Sequence, residues 1–152
     1  MNSLRLPFFN ELNASKNVLV AGAGGGFDVF SGLPLYFNLH AAGKTVYLAN
    51  LTFSNLPPGT AGRQLAPALV EVTADSEGSK YYFPEQHLSQ WFRDHGREVP
   101  VYCFHRVGPG PVSDAYRLLV DMHRLTPSSW WTAGQTASCG ATKTNLVRRP
   151  RT

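Results

Sequence analysis

Four glycines within five positions, Gly22, Gly24, Gly25 and Gly26, follow directly on the apolar run Val18-Leu-Val-Ala21. Chain that turns there with so little side chain lets bare backbone N–H groups approach a ligand closely. A helix starting near Asp28 would aim its positive end at the same spot, the geometry that binds phosphate or another anion. Asp28 itself would orient a ribose or a metal, or simply cap that helix. The plainer alternative for the glycines is a turn needed only for tight strand-to-helix packing. The loop departs from the dinucleotide fingerprint: Gly22 and Gly24 fit its first two positions, Phe27 occupies the third, and Asn50 stands where an acidic ribose binder would end the second strand. No Gly-Lys-Ser/Thr follows, so it is not a Walker loop either.

Other polar groups fall just beyond expected strands. Asn50, Thr52 and Ser54 alternate at a strand end and offer hydrogen bonds to a ligand, or make an ordinary turn. Asp75 is a carboxylate base or a solvated loop acid. His105 and Arg106 contact an anion or form a surface pair. His40, His87, His95 and His123 have no ligand spacing, so no metal site is expected.

The elements that must position these residues alternate between strand and helix. A short amphipathic helix over 7–13 leads into a buried strand at 18–21, and a helix over 27–42 closes at Gly43. Pro34 either kinks that helix or sits in the first turn of one beginning near Ser31. Further strands are expected at 46–50, 69–73 and 99–104, with a Pro- and Gly-containing loop between the first two. Residues 84–95 read as a helix, with Leu88, Trp91 and Phe92 on one face. Gly108-Pro-Gly-Pro111 breaks the chain before a helix over 114–125, with Ser113 as N-cap and Tyr116, Leu119, Val120 and His123 along one face. The alternation predicts an α/β fold, a Rossmann-like parallel sheet with flanking helices, cut short after about four strands.

Charge separates a neutral body from a basic tail. All ten acidic residues lie between Glu11 and Asp121, and residues 1–125 hold ten Lys and Arg against them. Lys143, Arg148, Arg149 and Arg151 supply the whole net charge of +4, so no basic face and no specific nucleic-acid partner are expected. No apolar run reaches the ~18 residues of a membrane span, and no basic leader precedes an apolar stretch. Cys103 and Cys139 form no redox or metal motif, which suits free thiols in a reducing, cytoplasmic setting.

Residues from about 8 to 125 resemble the domain of unknown function 1152 family. The likeness rests on Val18-Leu-Val-Ala-Gly-Ala-Gly-Gly-Gly-Phe-Asp-Val29, on Val46-Tyr-Leu-Ala-Asn-Leu-Thr-Phe-Ser54, and on the Val-Tyr-Cys-Phe and Val-Ser-Asp-Ala-Tyr segments. The resemblance implies a Rossmann-like fold rather than a reaction. It also implies a continuation into a Val-rich strand and an acidic Asp-Gly-Gly-Thr-Asp motif, which is missing here. The missing motif reappears if each codon after Leu125 is rebuilt from the last base of the previous codon and its own first two. With mostly G or C in the free third positions, Thr126 onward then reads Asp-Ala-Val-Val-Val-Val-Asp-Gly-Gly-Thr-Asp-Ser-Leu-Met-Arg-Gly-Asp-Glu. Residues 126–152 are therefore expected to be an irregular, frameshift-derived basic tail on an incomplete α/β domain of residues 1–125. Coding DNA across codons 120–152 decides the point: an undisturbed frame there removes this reading.

The functional expectation is a nucleotide or other phosphate-bearing small molecule, a dinucleotide included, at the glycine loop. Gly22, Gly24, Gly25 and Gly26 would cradle its anion, while Asp28, Asn50 and Thr52 hydrogen-bond it. The intact parent reads as a small-molecule enzyme. A non-catalytic ligand-binding or assembly domain, oligomeric or not, is the alternative.

Overall fold

The computed structural model describes residues 12–22, 25, 27–79, 81–126 and 130–133. The chain forms β1 (Asn17–Gly22), α1 (Asp28–Ser31), α2 (Leu33–Ala41), β2 (Thr45–Leu51), β3 (Arg63–Ala66) and β4 (Leu69–Val72). It continues through α3 (Pro84–Asp94), β5 (Val101–Phe104), α4 (Pro109–His123) and β6 (Trp130–Ala133). The strands make one sheet in the order β3-β4-β5-β2-β1-β6.

The central strands are apolar at nearly every position because both faces of the sheet are covered. Along β1, Val18 and Val20 enter one core, with Val29 of α1, Tyr36 and Leu39 of α2, and Leu88 and Phe92 of α3. Leu19 and Ala21 enter the other core, with Ala115 and Leu119 of α4. β5 divides in the same way, Val101 and Cys103 to the first core and Tyr102 and Phe104 to the second. The result is three layers: helices α1 to α3, the sheet, and α4.

β1 pairs in parallel with β2 and β6, and β2 in parallel with β5. β4 runs antiparallel to β5, and β3 antiparallel to β4. The sheet is therefore mixed and six-stranded, which corrects the expectation of a parallel sheet stopping after about four strands. Two elements account for the difference. β3, Arg-Gln-Leu-Ala, lies at the sheet's edge with its first two residues exposed, so it has no apolar alternation to betray it. β6 occupies the span expected to be irregular, pairing Leu19 with Trp130 and Gly22 with Ala133. Its Trp-Trp-Thr is strand-favouring, and β1 otherwise offers an open row of backbone donors and acceptors. The remaining tail, 134–152, lies outside the described residues, as does most of the expected helix over 7–13.

Two helices also depart from their expected bounds, and one face from its expected burial. The expected helix over 27–42 is two helices joined at Gly32, and Pro34 sits in the first turn of α2, where its missing N–H costs nothing. α4 starts at Pro109 rather than at 114, with Gly108 as N-cap instead of Ser113, because prolines are tolerated in a first helical turn. On α3, Leu88 and Phe92 are buried, but Trp91 is left 44% exposed.

From β1 the chain passes on one side to β2, out to the edge pair β3 and β4, and back to β5 beside β2. It then crosses back through α4 to β6 on the other side of β1. Strand direction of travel thus reverses at β1. In open α/β sheets the crevice for ligands forms beyond the carboxyl ends of the strands at such a reversal. The glycine loop leaves β1 at that place.

Candidate functional site

Gly22 ends β1 with no room for a side chain. A Cβ there would come 2.6 Å from the Val29 backbone nitrogen and closer still to Asn50 Oδ1. Its glycine is thus required by the close approach of β1, β2 and α1, independently of any ligand. Gly25 differs: among the described residues a Cβ would meet only Asp28 Oδ1, at 3.8 Å, an ordinary contact. Nor does its backbone adopt positive φ. Gly24 and Gly26 lie outside the described residues. The Asp28 N–H donates to the Gly25 carbonyl at 3.0 Å, closing the turn into α1. Asp28 Oδ2 is buried and accepts no hydrogen bond among the described residues. Asp28 lies in the first turn of α1 and does not cap it; the N-cap is Phe27, without a side-chain hydrogen bond.

Behind the loop stands a buried carboxyl that the sequence reading passed over. Glu85 is fully buried in the first turn of α3. Asn50, also fully buried, donates its Nδ2 to Glu85 Oε1 at 2.8 Å, and Ser54 Oγ donates to Oε2 at 3.0 Å. No Lys, Arg or His pairs with Glu85 or Asp28 among the described residues. A buried acid supported only by neutral donors is costly for folding and so points to use. An acid just after Pro84 is also the ordinary choice for a helix start, which is why composition alone does not single Glu85 out. Cys103 is β2-paired to Asn50 across the sheet. Burial, and then the Glu85 charge, push its thiol well above the usual range, so it is a core residue and not a nucleophile.

The other candidates separate by place. The Thr52 hydroxyl accepts the Ser54 N–H at 3.0 Å and its own N–H reaches the Phe104 carbonyl, so Thr52 shapes the turn after β2. Arg106 lies over the Phe53 ring, 4.4 Å from its centre, tying the ends of β5 and β2 together. Phe27 is 63% exposed and meets the half-buried Tyr82 edge-on, so an exposed aromatic ring stands beside the loop. Asp75 is far from a base: Arg93 holds it by two hydrogen bonds and, through them, lowers its pKa. Among the described residues no group of three or more His, Cys, Asp or Glu is placed to hold a metal ion. No helix among them is long and apolar enough to cross a membrane.

Among the described residues the site therefore combines backbone at 22, 25, 27 and 28, an Asp28 oxygen without a hydrogen-bond partner and the Asn50–Glu85–Ser54 network. Chemically the Asp28 oxygen can accept a hydrogen bond from a hydroxyl or amine group. Comparison of the chain with protein-family models, curated proteins and solved structures finds no match.

Proposed function

We propose that this is a Rossmann-like domain that binds a nucleotide or closely related phosphate-bearing small molecule at residues 22–28. The observation that carries the reading is the Asp28 Oδ2 atom, buried yet without a hydrogen-bond partner among the described residues, beside a glycine turn where strand travel reverses. Two carboxyls near the loop, with no basic partner among the described residues, disfavour a bare phosphate. A ligand carrying both an anion and hydroxyl donors suits the place better: backbone N–H groups take the phosphate, and Asp28 accepts from a sugar hydroxyl. Exposed Phe27 offers an aromatic face to a base. Asn50 and Glu85 supply the polar floor, and Glu85 is the group best placed to accept a proton if a reaction follows.

Gly25 supplies the test, because nothing among the described residues requires it to be glycine. Gly25→Val is expected to melt within a few degrees of wild type and to lose mononucleotide binding by at least roughly tenfold, since branched carbon replaces the space where backbone meets ligand. Thermal-shift screening with adenine and guanine mononucleotides, followed by calorimetry, measures both. Equal affinity in the variant would sink the reading.

A further inference from the structure

The opposite edge of the sheet carries a second feature. Where β2 and β5 begin, a cleft of about 350 Å³ is lined by Tyr36, Lys44, Thr45, Tyr47, Arg97 and Tyr102, among others. It lies at the amino ends of strands whose carboxyl ends bear the glycine loop. The seven residues of β2 separate the two places by about 20 Å, at roughly 3.3 Å per residue.

The cleft is built from flat aromatic walls and cationic groups. Arg97 is half-buried, with its guanidinium 5.6 Å from the centre of the Tyr36 ring and 5.7 Å from that of Phe92. One of its nitrogens donates to the Tyr36 hydroxyl at 3.1 Å. Among the described residues it has no carboxylate partner, for the adjacent Glu98 is turned to Arg93 at 2.8 Å. Lys44 Nζ donates to the carbonyls of Asn13 and Ser15, which fixes the ammonium at the cleft wall and leaves its third N–H without a partner among the described residues. A half-buried guanidinium held against two rings keeps its remaining donors in a fixed fork, the arrangement that favours a planar or tetrahedral oxyanion. Stacking also explains Arg97 as a packing residue, but packing alone does not account for a second cation and an open cleft beside it. The volume suits a small molecule.

We infer that this cleft binds a small aromatic oxyanion, a carboxylate or phosphate monoester, with Arg97 and Lys44 taking the anion and the tyrosine rings taking the flat body. The two anion types share one chemistry, and benzoate and phenyl phosphate as probes distinguish them. In calorimetric titration of the full chain, at least one probe is expected to bind saturably and to weaken as salt rises. Arg97→Gln should weaken that probe by tenfold or more, and Glu85→Gln, at the far edge, should leave it unchanged. If Arg97→Gln fails to fold, Thr45→Glu, which places a carboxylate on an exposed lip of the cleft, should weaken the probe by the same order. No saturable binding to millimolar probe overturns the inference. So does unaltered affinity in Arg97→Gln, or in Thr45→Glu where that variant is the one that folds.

Discussion

Gly22 and Gly25 stand three positions apart in one loop and answer to different constraints. At Gly22 any Cβ collides with Asn50 and with backbone of α1, and backbone cannot rotate aside as a flexible side chain can. Gly22→Ala should therefore destabilise the fold by about 1–3 kcal/mol, the usual range for forcing carbon into a packed interior. Urea unfolding measures it, and a variant as stable as wild type would show that β1 and α1 can separate cheaply. At Gly25 the same change should be almost silent for stability. Residue types alone could not make that distinction, because four glycines in a row of five look equivalent before the neighbours are known. Glu85 was hidden for the opposite reason. Acids are common in a first helical turn, and only the approach of Asn50 and Ser54 from β2 makes this one a buried group.

Elements whose both faces are covered were the most legible. β1, β2 and β5 announce themselves by uninterrupted apolar runs, and α3 by its buried Leu88 and Phe92. Edge elements were not: β3 and β6 owe their pairing to a neighbour's open backbone, and a sequence pattern records burial, not an available edge. The start of α4 differs because Gly108-Pro-Gly-Pro111 reads as a break, whereas Pro109 occupies the first helical turn; Pro34 takes the first-turn place that was one of its two expected positions. The docking of α4 carries its own test. His123, at its end, stacks on Tyr47 of β2 at 3.7 Å and lies near Tyr102 of β5. Asn17 of β1 donates to its carbonyl at 2.7 Å, and Glu71 of β4 adds a weaker pull toward the charged form. Burial dominates and holds the imidazole pKa below its ordinary 6.5. The unfolded chain thus takes up a proton first as pH falls through 6.5, so stability should decline from there until the lower folded value is passed. Denaturant midpoints between pH 7.5 and 5.0 should show that decline, and His123→Phe should flatten it. A variant with the same slope as wild type would place the titration elsewhere.

At the scale of the molecule, two sheet edges with different chemistry face opposite ways. The carboxyl edge holds the glycine loop, Asp28 and Glu85; the amino edge holds Arg97 and Lys44 between tyrosines. Formal charge hides this contrast, since residues 1–125 sum to neutrality. The reversal of strand travel at β1 depends on β6, the strand least legible in the sequence. The central claim, that a nucleotide-like ligand seats at this reversal, is tested most directly by amide chemical-shift mapping on the isotope-labelled full chain. Adenosine and guanosine monophosphates are titrated into wild type and into Glu85→Gln, which keeps the shape of the side chain but removes the acid. The expected result is a saturable set of shifts confined to residues 22–28, 50–54 and the start of α3, with affinity reduced at least roughly tenfold in Glu85→Gln at a melting temperature no lower than wild type. Shifts clustered at the amino edge, or no saturable shifts at millimolar nucleotide, would contradict it.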